Sequence, residues 1–170
     1  MEPELKMFEL NDGEVFPNNH LPILLYKGVL NLPVLFPATH VINLFKKNNW
    51  YNAWIGGIFN YHHYHSNTHE VLGIYGGSTT LLLKGEDGLK ITVKKGDVLI
   101  IPAGVAHKNL GDKNAVKCIG AYPFGSAFDM NYGKPGERPR TDKNIAAVPI
   151  PSFDPVYGTD RGLSKIWGYF

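Results

Sequence analysis

Between Trp54 and Tyr122 the chain is a succession of short apolar runs, each closed by a cluster of turn-forming residues. The candidate strands are 54–59, 61–65, 71–75, 79–84, 89–94, 98–101 and 116–122. They are separated by Gly76-Gly77, by Gly85-Glu86-Asp87-Gly88, by Lys95-Gly96-Asp97 and by Gly111-Asp112-Lys113-Asn114. Runs this short, without helical segments between them, predict an antiparallel sandwich or barrel and exclude alternating β/α units. The Glu86-Asp87-Gly88 piece between two apolar runs predicts a hairpin. Nineteen glycines and twelve prolines in 170 residues suit such an all-β chain.

Outside this region the pattern changes. Residues 1–49 read as an irregular arm, with extended pieces at 8–10 and 23–26 and turns at Asn18-Asn19. Val41, Ile42, Leu44 and Phe45 sit at helical spacing, so a short helix is expected over 39–47, N-capped by Thr39 and ended by Asn48-Asn49. Residues 126–170 carry little periodicity. Their closing aromatics, Trp167, Tyr169 and Phe170, suggest a segment that wraps back on the barrel or onto a second subunit. One domain is expected, with its barrel core at about 50–125.

The totals exclude several classes of function. A net charge of +2 without a Lys/Arg cluster makes no case for nucleic acid or a membrane surface. The apolar stretch 21–36 is interrupted by Pro22, Lys27 and Pro33 and is too short to span a bilayer. The acidic opening Met-Glu-Pro-Glu-Leu lacks the apolar stretch of a signal peptide, and one cysteine, Cys118, allows no internal disulfide. Both point to a cytoplasmic protein. Cys118 reads as a small buried apolar residue of the strand at 115–122.

Six of the seven histidines fall between His40 and His107. Gly57, His63, His65, Glu70 and Gly77 form one spaced set; Gly96, Pro102, Gly104 and His107 form a second, nineteen residues on. On a strand, His63 and His65 project to one side together with Tyr61. Glu70 begins the next strand, and Pro102-Ala103-Gly104 is a stiff turn before His107. Three imidazoles and a carboxylate, with no thiolate, suit a divalent transition metal with open positions. Fe(II) or Mn(II) is favoured, with Ni(II), Co(II) or Zn(II) possible. For one histidine a structural role would be the better reading; four residues in two matched spacings make that reading poor. His69 competes with Glu70 for the fourth ligand position. Glu70 is preferred because Leu72 and Ile74 then continue an apolar interior. His69 is otherwise a neighbouring group, and with Tyr61 it is a candidate for catalysis. His62 reads as exposed, and His20 and His40 as structural.

These two spaced sets resemble the paired signature of the cupin superfamily. The first matches in every fixed position; the second departs only at Gly111, where the family often has Asn. His62-His-Tyr-His-Ser-Asn-Thr-His-Glu-Val-Leu-Gly73, Gly120-Ala-Tyr-Pro, Lys134-Pro-Gly-Glu-Arg-Pro and Asp154-Pro-Val-Tyr-Gly158 resemble the small single-domain YjlB-like bacterial cupins. The resemblance implies a jelly-roll β-barrel, often dimeric, with the metal inside. It includes dioxygenases, oxalate-degrading enzymes, sugar isomerases and epimerases, and non-enzymatic proteins, so fold alone selects none of them. The residues lean toward a metal-dependent oxidoreductase of dioxygenase type acting on a small organic molecule, with Tyr61 donating to a bound oxygen. A Mn-dependent decarboxylase of a small dicarboxylate would need a second acid near the metal. A sugar isomerase or epimerase would draw on Lys84, Lys94 and Lys108. A non-catalytic metal- or ligand-binding protein is the third class. A homodimer is expected, because the apolar segments at both ends call for burial.

Overall fold

The computed structural model describes residues 3–170; Met1 and Glu2, part of the acidic opening, lie outside it. The order is β1 (Glu4–Phe8), β2 (Ile23–Lys27), α1 (Pro37–Lys47), β3 (Trp50–Gly56), β4 (Glu70–Leu83), β5 (Leu89–Lys94), β6 (Val98–Ile101), β7 (His107–Asn109), β8 (Val116–Pro123), α2 (Arg140–Ala147) and α3 (Leu163–Ile166), followed by a single 3-10 turn. All strand pairs are antiparallel.

β4 is the spine. Its first half pairs with β6 and β8, and its second half pairs with β5 and β7. The larger face runs β1-β2-β6-β4-β8-β3. Hydrogen bonding does not run full circle, so the jelly roll is open-sided and not a closed barrel. The turn expected at Gly76-Gly77 is instead a bulge within one 14-residue strand. The register slips between Ile74 and Gly76, and Gly77 takes φ +69°. A Cβ at Gly77 would lie 1.9 Å from the Ala115 carbonyl oxygen. The glycine pair thus lets β4 bend from one sheet into the other without ending it.

Strand alternation separates two apolar layers. Ile23 and Leu25, Leu72 and Ile74, Leu99 and Ile101, and Cys118 point into the roll. Leu24 and Tyr26, Val71, Val98 and Ile100, and Ile119 and Ala121 point outward, where α1 and the C-terminal segment cover them. The central strands β2, β6 and β8 and the first half of β4 are therefore buried on both faces and read as continuous apolar runs, whereas the edge strands β1 and β3 are largely exposed. Cys118 is fully buried, and burial pushes its thiol up, away from the reactive thiolate.

α1 starts two residues before the expected Thr39, because Pro37 already has the backbone angle of a first helical position. Its N-cap is Phe36, and no side chain caps the end. Val41 and Phe45 are its buried residues. They approach the sheet at Gly73, where a Cβ would lie 2.7 Å from Val41 and 2.8 Å from Phe45. Gly73→Leu should therefore force the helix off the sheet and cost about 1–3 kcal/mol. Urea unfolding measures it, and an unchanged midpoint would contradict this packing.

Both flanking segments are more regular than their sequence suggests. β1 and β2 are integral strands, and residues 126–170 contain α2 and α3. The end of the chain folds onto its own sheet. Trp167 is fully buried and its indole N–H donates to the Pro22 carbonyl at 3.0 Å. Asp154, also buried, accepts from the Tyr26 hydroxyl at 2.5 Å and from the amides of Val156, Tyr157 and Leu163. No helix among the described residues is long and apolar enough to cross a membrane.

Candidate metal centre

The segment 61–65 is not the strand its sequence predicts. It is an irregular stretch held by single bridges, His63 to His107 and Tyr64 to Asn131. Four contacts align it against β7 and the turn before it. The Asn109 amide donates to the Phe59 carbonyl at 2.8 Å, and the Gly104 amide donates to the His65 carbonyl at 2.7 Å. Between them His63 and His107 exchange both backbone hydrogen bonds, at 3.3 and 3.0 Å. Direct pairing puts the two imidazoles side by side, with ring centroids 4.1 Å apart. The backbone pairing thus achieves what strand alternation was expected to achieve.

His63, His65 and His107 each present a ring nitrogen within 4.8 Å of the others. Each Nδ1 is engaged by a backbone carbonyl: His63 with Tyr61 at 3.1 Å, His65 with Asp129 at 2.6 Å and His107 with Val105 at 3.1 Å. An Nδ1–H donated to a carbonyl leaves the Nε2 lone pair free, and this is how a histidine ligand is fixed in tautomer and orientation. Glu70 Oε2 lies 3.3 Å from His65 Nε2 and 3.2 Å from His107 Nε2. It is buried with no aligned hydrogen-bond donor. An unsatisfied carboxylate oxygen among three free imidazole nitrogens fits a divalent cation.

These groups are electrostatically coupled, and protons compete with a cation for the same atoms. Burial would raise the Glu70 carboxyl, but the His65 and His107 imidazoles hold it well below the usual carboxylate range. Burial, together with the neighbouring His107, pushes His63 down to about 3, so it is neutral and able to donate its lone pair. Burial would lower His65, but the adjacent Glu70 carboxylate outweighs it and raises it.

Three supporting residues were invisible as such in the sequence. The Tyr122 hydroxyl donates to Glu70 Oε1 at 2.9 Å, and the Trp54 indole N–H donates to the Tyr122 oxygen at 2.8 Å. Burial and the Glu70 charge push the Tyr122 phenol up, so it stays a proton donor. Asp129 accepts from the Ser66 amide at 2.7 Å and hydroxyl at 2.5 Å, while its own carbonyl orients His65. Tyr122→Phe should weaken divalent-metal affinity about tenfold or more. A chelator competition titration reads this, and unchanged affinity would show that Tyr122 does not orient Glu70.

Tyr61 lines the mouth of the cavity above these groups, half-exposed and stacked on Phe59 with centroids 4.9 Å apart. His69 is placed elsewhere. It lies against Trp167, its Nδ1 accepts from the Ala103 amide at 2.9 Å, and its Nε2 meets the Pro149 carbonyl at 3.2 Å. Burial pushes it down to about 4. The alternation at the start of β4 sends Glu70 inward with Leu72 and Ile74 and leaves His69 on the outer layer. The fourth position beside the imidazoles is therefore Glu70's, and His69 reaches neither them nor the cavity. His62 is not simply exposed, since its Nε2 meets Glu86 at 2.8 Å.

The cavity has a volume of about 740 Å³, with His63, His65, Glu70 and His107 among its lining residues. Phe128 packs on the ring of His65 at 5.0 Å and stacks on Tyr122 at 4.7 Å.

Comparison with known proteins agrees with this architecture. Residues 56–122 match the Cupin family, a span that holds all four converging side chains. The chain is 38% identical over 168 residues to the uncharacterised protein YjlB of Bacillus subtilis (strain 168), covering 98% of this chain and 99% of that one. Among solved structures it is similar to acireductone dioxygenase from Bacillus anthracis with cadmium ion in the active centre. The identity is 14% and the TM-score 0.41, over 56% of this chain and 64% of that one. It is also similar to a mutant of the Bacillus subtilis oxalate decarboxylase OxdC, at 15% identity and TM-score 0.35 over 78% of this chain and 28% of that one. The chain thus spans under two thirds of the length of either enzyme, and likeness at this level carries no reaction across. The 38% identity to YjlB over nearly the whole chain and the matched family segment place the chain in the cupin family, as a YjlB-like member.

Proposed function

We propose that this protein is a metal-dependent oxidoreductase of dioxygenase type, acting on a small organic molecule. Its metal would be Fe(II) or Mn(II), held by His63, His65, Glu70 and His107. The observation that carries this reading is the convergence of three Nδ1-anchored imidazoles on the unpartnered Glu70 oxygen at a cavity. When bound there, such an ion supplies a Lewis acid with redox capacity and positions open to substrate and oxygen.

The chain's own groups do the rest. Tyr122 and Trp54 keep the Glu70 carboxylate in place. Phe128 shields His65 from water. Tyr61, half-exposed on the cavity wall, would offer its phenol as a hydrogen-bond donor to a substrate oxygen.

Two alternatives receive less support from the cavity. A decarboxylase needs a carboxylic acid to deliver a proton, and Glu70 is the sole carboxylate lining the cavity among the described residues. A phosphosugar isomerase needs cations at the mouth. Lys84, Lys94 and Lys108 all lie outside the lining, and Lys108 is 3.6 Å from Glu86.

Elemental analysis beside oxygen uptake tests the proposal. Iron or manganese near one per chain, with oxygen consumed on addition of a small organic substrate, is the expected result. Zinc alone, or no metal above the level of a His63→Ala/His107→Ala double variant, would remove the oxidoreductase reading.

A homodimer is part of the proposal. The C-terminal aromatic Trp167 is satisfied within its own chain, but Val34, Leu35 and Phe36 before α1 stay exposed. Light scattering should give twice the chain mass, and a monomer at micromolar concentration would refute it.

A further inference from the structure

The wall of the cavity says more about its ligand than the metal-binding residues do. Trp54, Phe59, Tyr61, Tyr122, Phe128 and Tyr132 all line it. Tyr122 is buried and belongs to the support of Glu70. Four others are left open to solvent: Phe59 is 48% exposed, Tyr61 41%, Phe128 40% and Tyr132 41%. Phe59 and Tyr61 stack at 16° to each other, and Tyr132 lies 6.0 Å from Tyr61. Half-exposed rings grouped around a cavity, part of their surface covered by one another and part open, offer stacking surface to a flat guest.

Charge argues in the same direction. Lys113 is the only Lys or Arg in the lining. It sits on the exposed turn before β8. Apart from Lys134, whose Nζ lies 5.0 Å from the Tyr132 ring, the aromatic wall has little positive charge of its own, so a phosphate or a dicarboxylate would be held by the metal centre alone and gain nothing from the wall. Size argues likewise. About 740 Å³ is ample for a ring system, whereas a two-carbon diacid would leave most of the aromatic wall filled with water.

We propose that the site takes a planar aromatic compound bearing adjacent hydroxyl or enol oxygens, its ring stacked on the mouth aromatics and its oxygens turned toward the imidazole and carboxylate cluster. The oxygen end of this assignment rests on the metal-centre reading above; the ring end rests on the wall alone.

4-Nitrocatechol is a suitable probe, because its absorbance shifts when its oxygens are ligated. Its Kd would be measured by calorimetry on protein as purified and on protein stripped with chelator, beside oxalate and glucose 6-phosphate. The expected result is binding of the catechol at least about tenfold tighter than either anion. Phe59→Ala and Tyr132→Ala should each weaken it about tenfold, with circular dichroism unchanged, since both residues are half-exposed. Tyr132→Phe should retain wild-type affinity, because the ring and not the hydroxyl does the stacking.

Tighter binding of oxalate or the sugar phosphate, or alanine variants with wild-type Kd, would overturn the inference while leaving the metal centre intact. If the stripped and metal-loaded proteins bind equally, and the Phe59 and Tyr132 dependence persists, the aromatic class stands and the metal-centre reading fails on its own.

Discussion

His107→Ala is expected to purify without stoichiometric metal while keeping its fold. His107 opens β7, pairs directly with His63 and lies 3.2 Å from Glu70 Oε2. Removing its ring takes one of four donors and leaves the Glu70 carboxylate facing a void. Changes to residues that merely orient ligands weaken metal affinity about 10–100-fold. Loss of a ligand should exceed that range, so elemental analysis should fall from about one ion per chain to near background. The backbone contacts that place His107 are independent of its side chain, because its amide and carbonyl make the bridge to His63. Far-UV circular dichroism should therefore be unchanged. Metal at wild-type level in a folded variant would remove His107 from the proposed ligand set.

Trp167→Ala should be the most destabilising of the substitutions considered. The indole is fully buried in the outer layer, packs on His69 at 4.8 Å and donates to the Pro22 carbonyl. Deleting a buried aromatic of this size costs about 3–5 kcal/mol, and the orphaned carbonyl adds to it. For a domain of this length that corresponds to a Tm lower by roughly 10 °C. The loss should reach the metal centre, because His69 precedes Glu70 and ties β4 to Ala103 in the turn before His107. A cost below about 1 kcal/mol in urea unfolding would mean that the C-terminal segment does not dock on the sheet as described.

The two sequence sets that suggested a metal centre were legible because each is local. A His-x-His pair, a carboxylate five residues later and a proline–glycine turn before a third histidine are visible without any tertiary contact. Which of His69 and Glu70 faces the imidazoles was legible too, since the period-2 alternation of Leu72 and Ile74 carries back to Glu70. The conformation of 61–65 was not. Tyr61, His63 and His65 share a side as they would on a strand, yet only two single bridges form, so the spacing reflects which rings face the cavity and not a ladder. The Gly76-Gly77 pair reads equally as a turn or a bulge, and only the partner strand β8, with its shifted register, decides. α2 escaped notice because its eight residues carry few apolar side chains and follow a turn-rich run.

Composition and spacing alone determined an all-β domain, its strand-rich core and the four residues that converge at its floor. The tertiary structure decided what holds and surrounds them. Tyr122 reaches Glu70 across 52 residues of sequence and Asp129 reaches His65 across 64. No local pattern encodes such pairs, because a hydrogen bond between distant segments depends on where the backbone places both partners. The same holds for the mouth aromatics. Phe59 and Tyr132 carry no such signal in the sequence, and Tyr61 stands out only as a neighbour of the histidines; their shared place on the cavity wall, half-exposed, comes from the tertiary structure. Local periodicity records which side of a strand a residue occupies; whether that side meets protein, metal or ligand is settled by the packing of segments far apart in the chain.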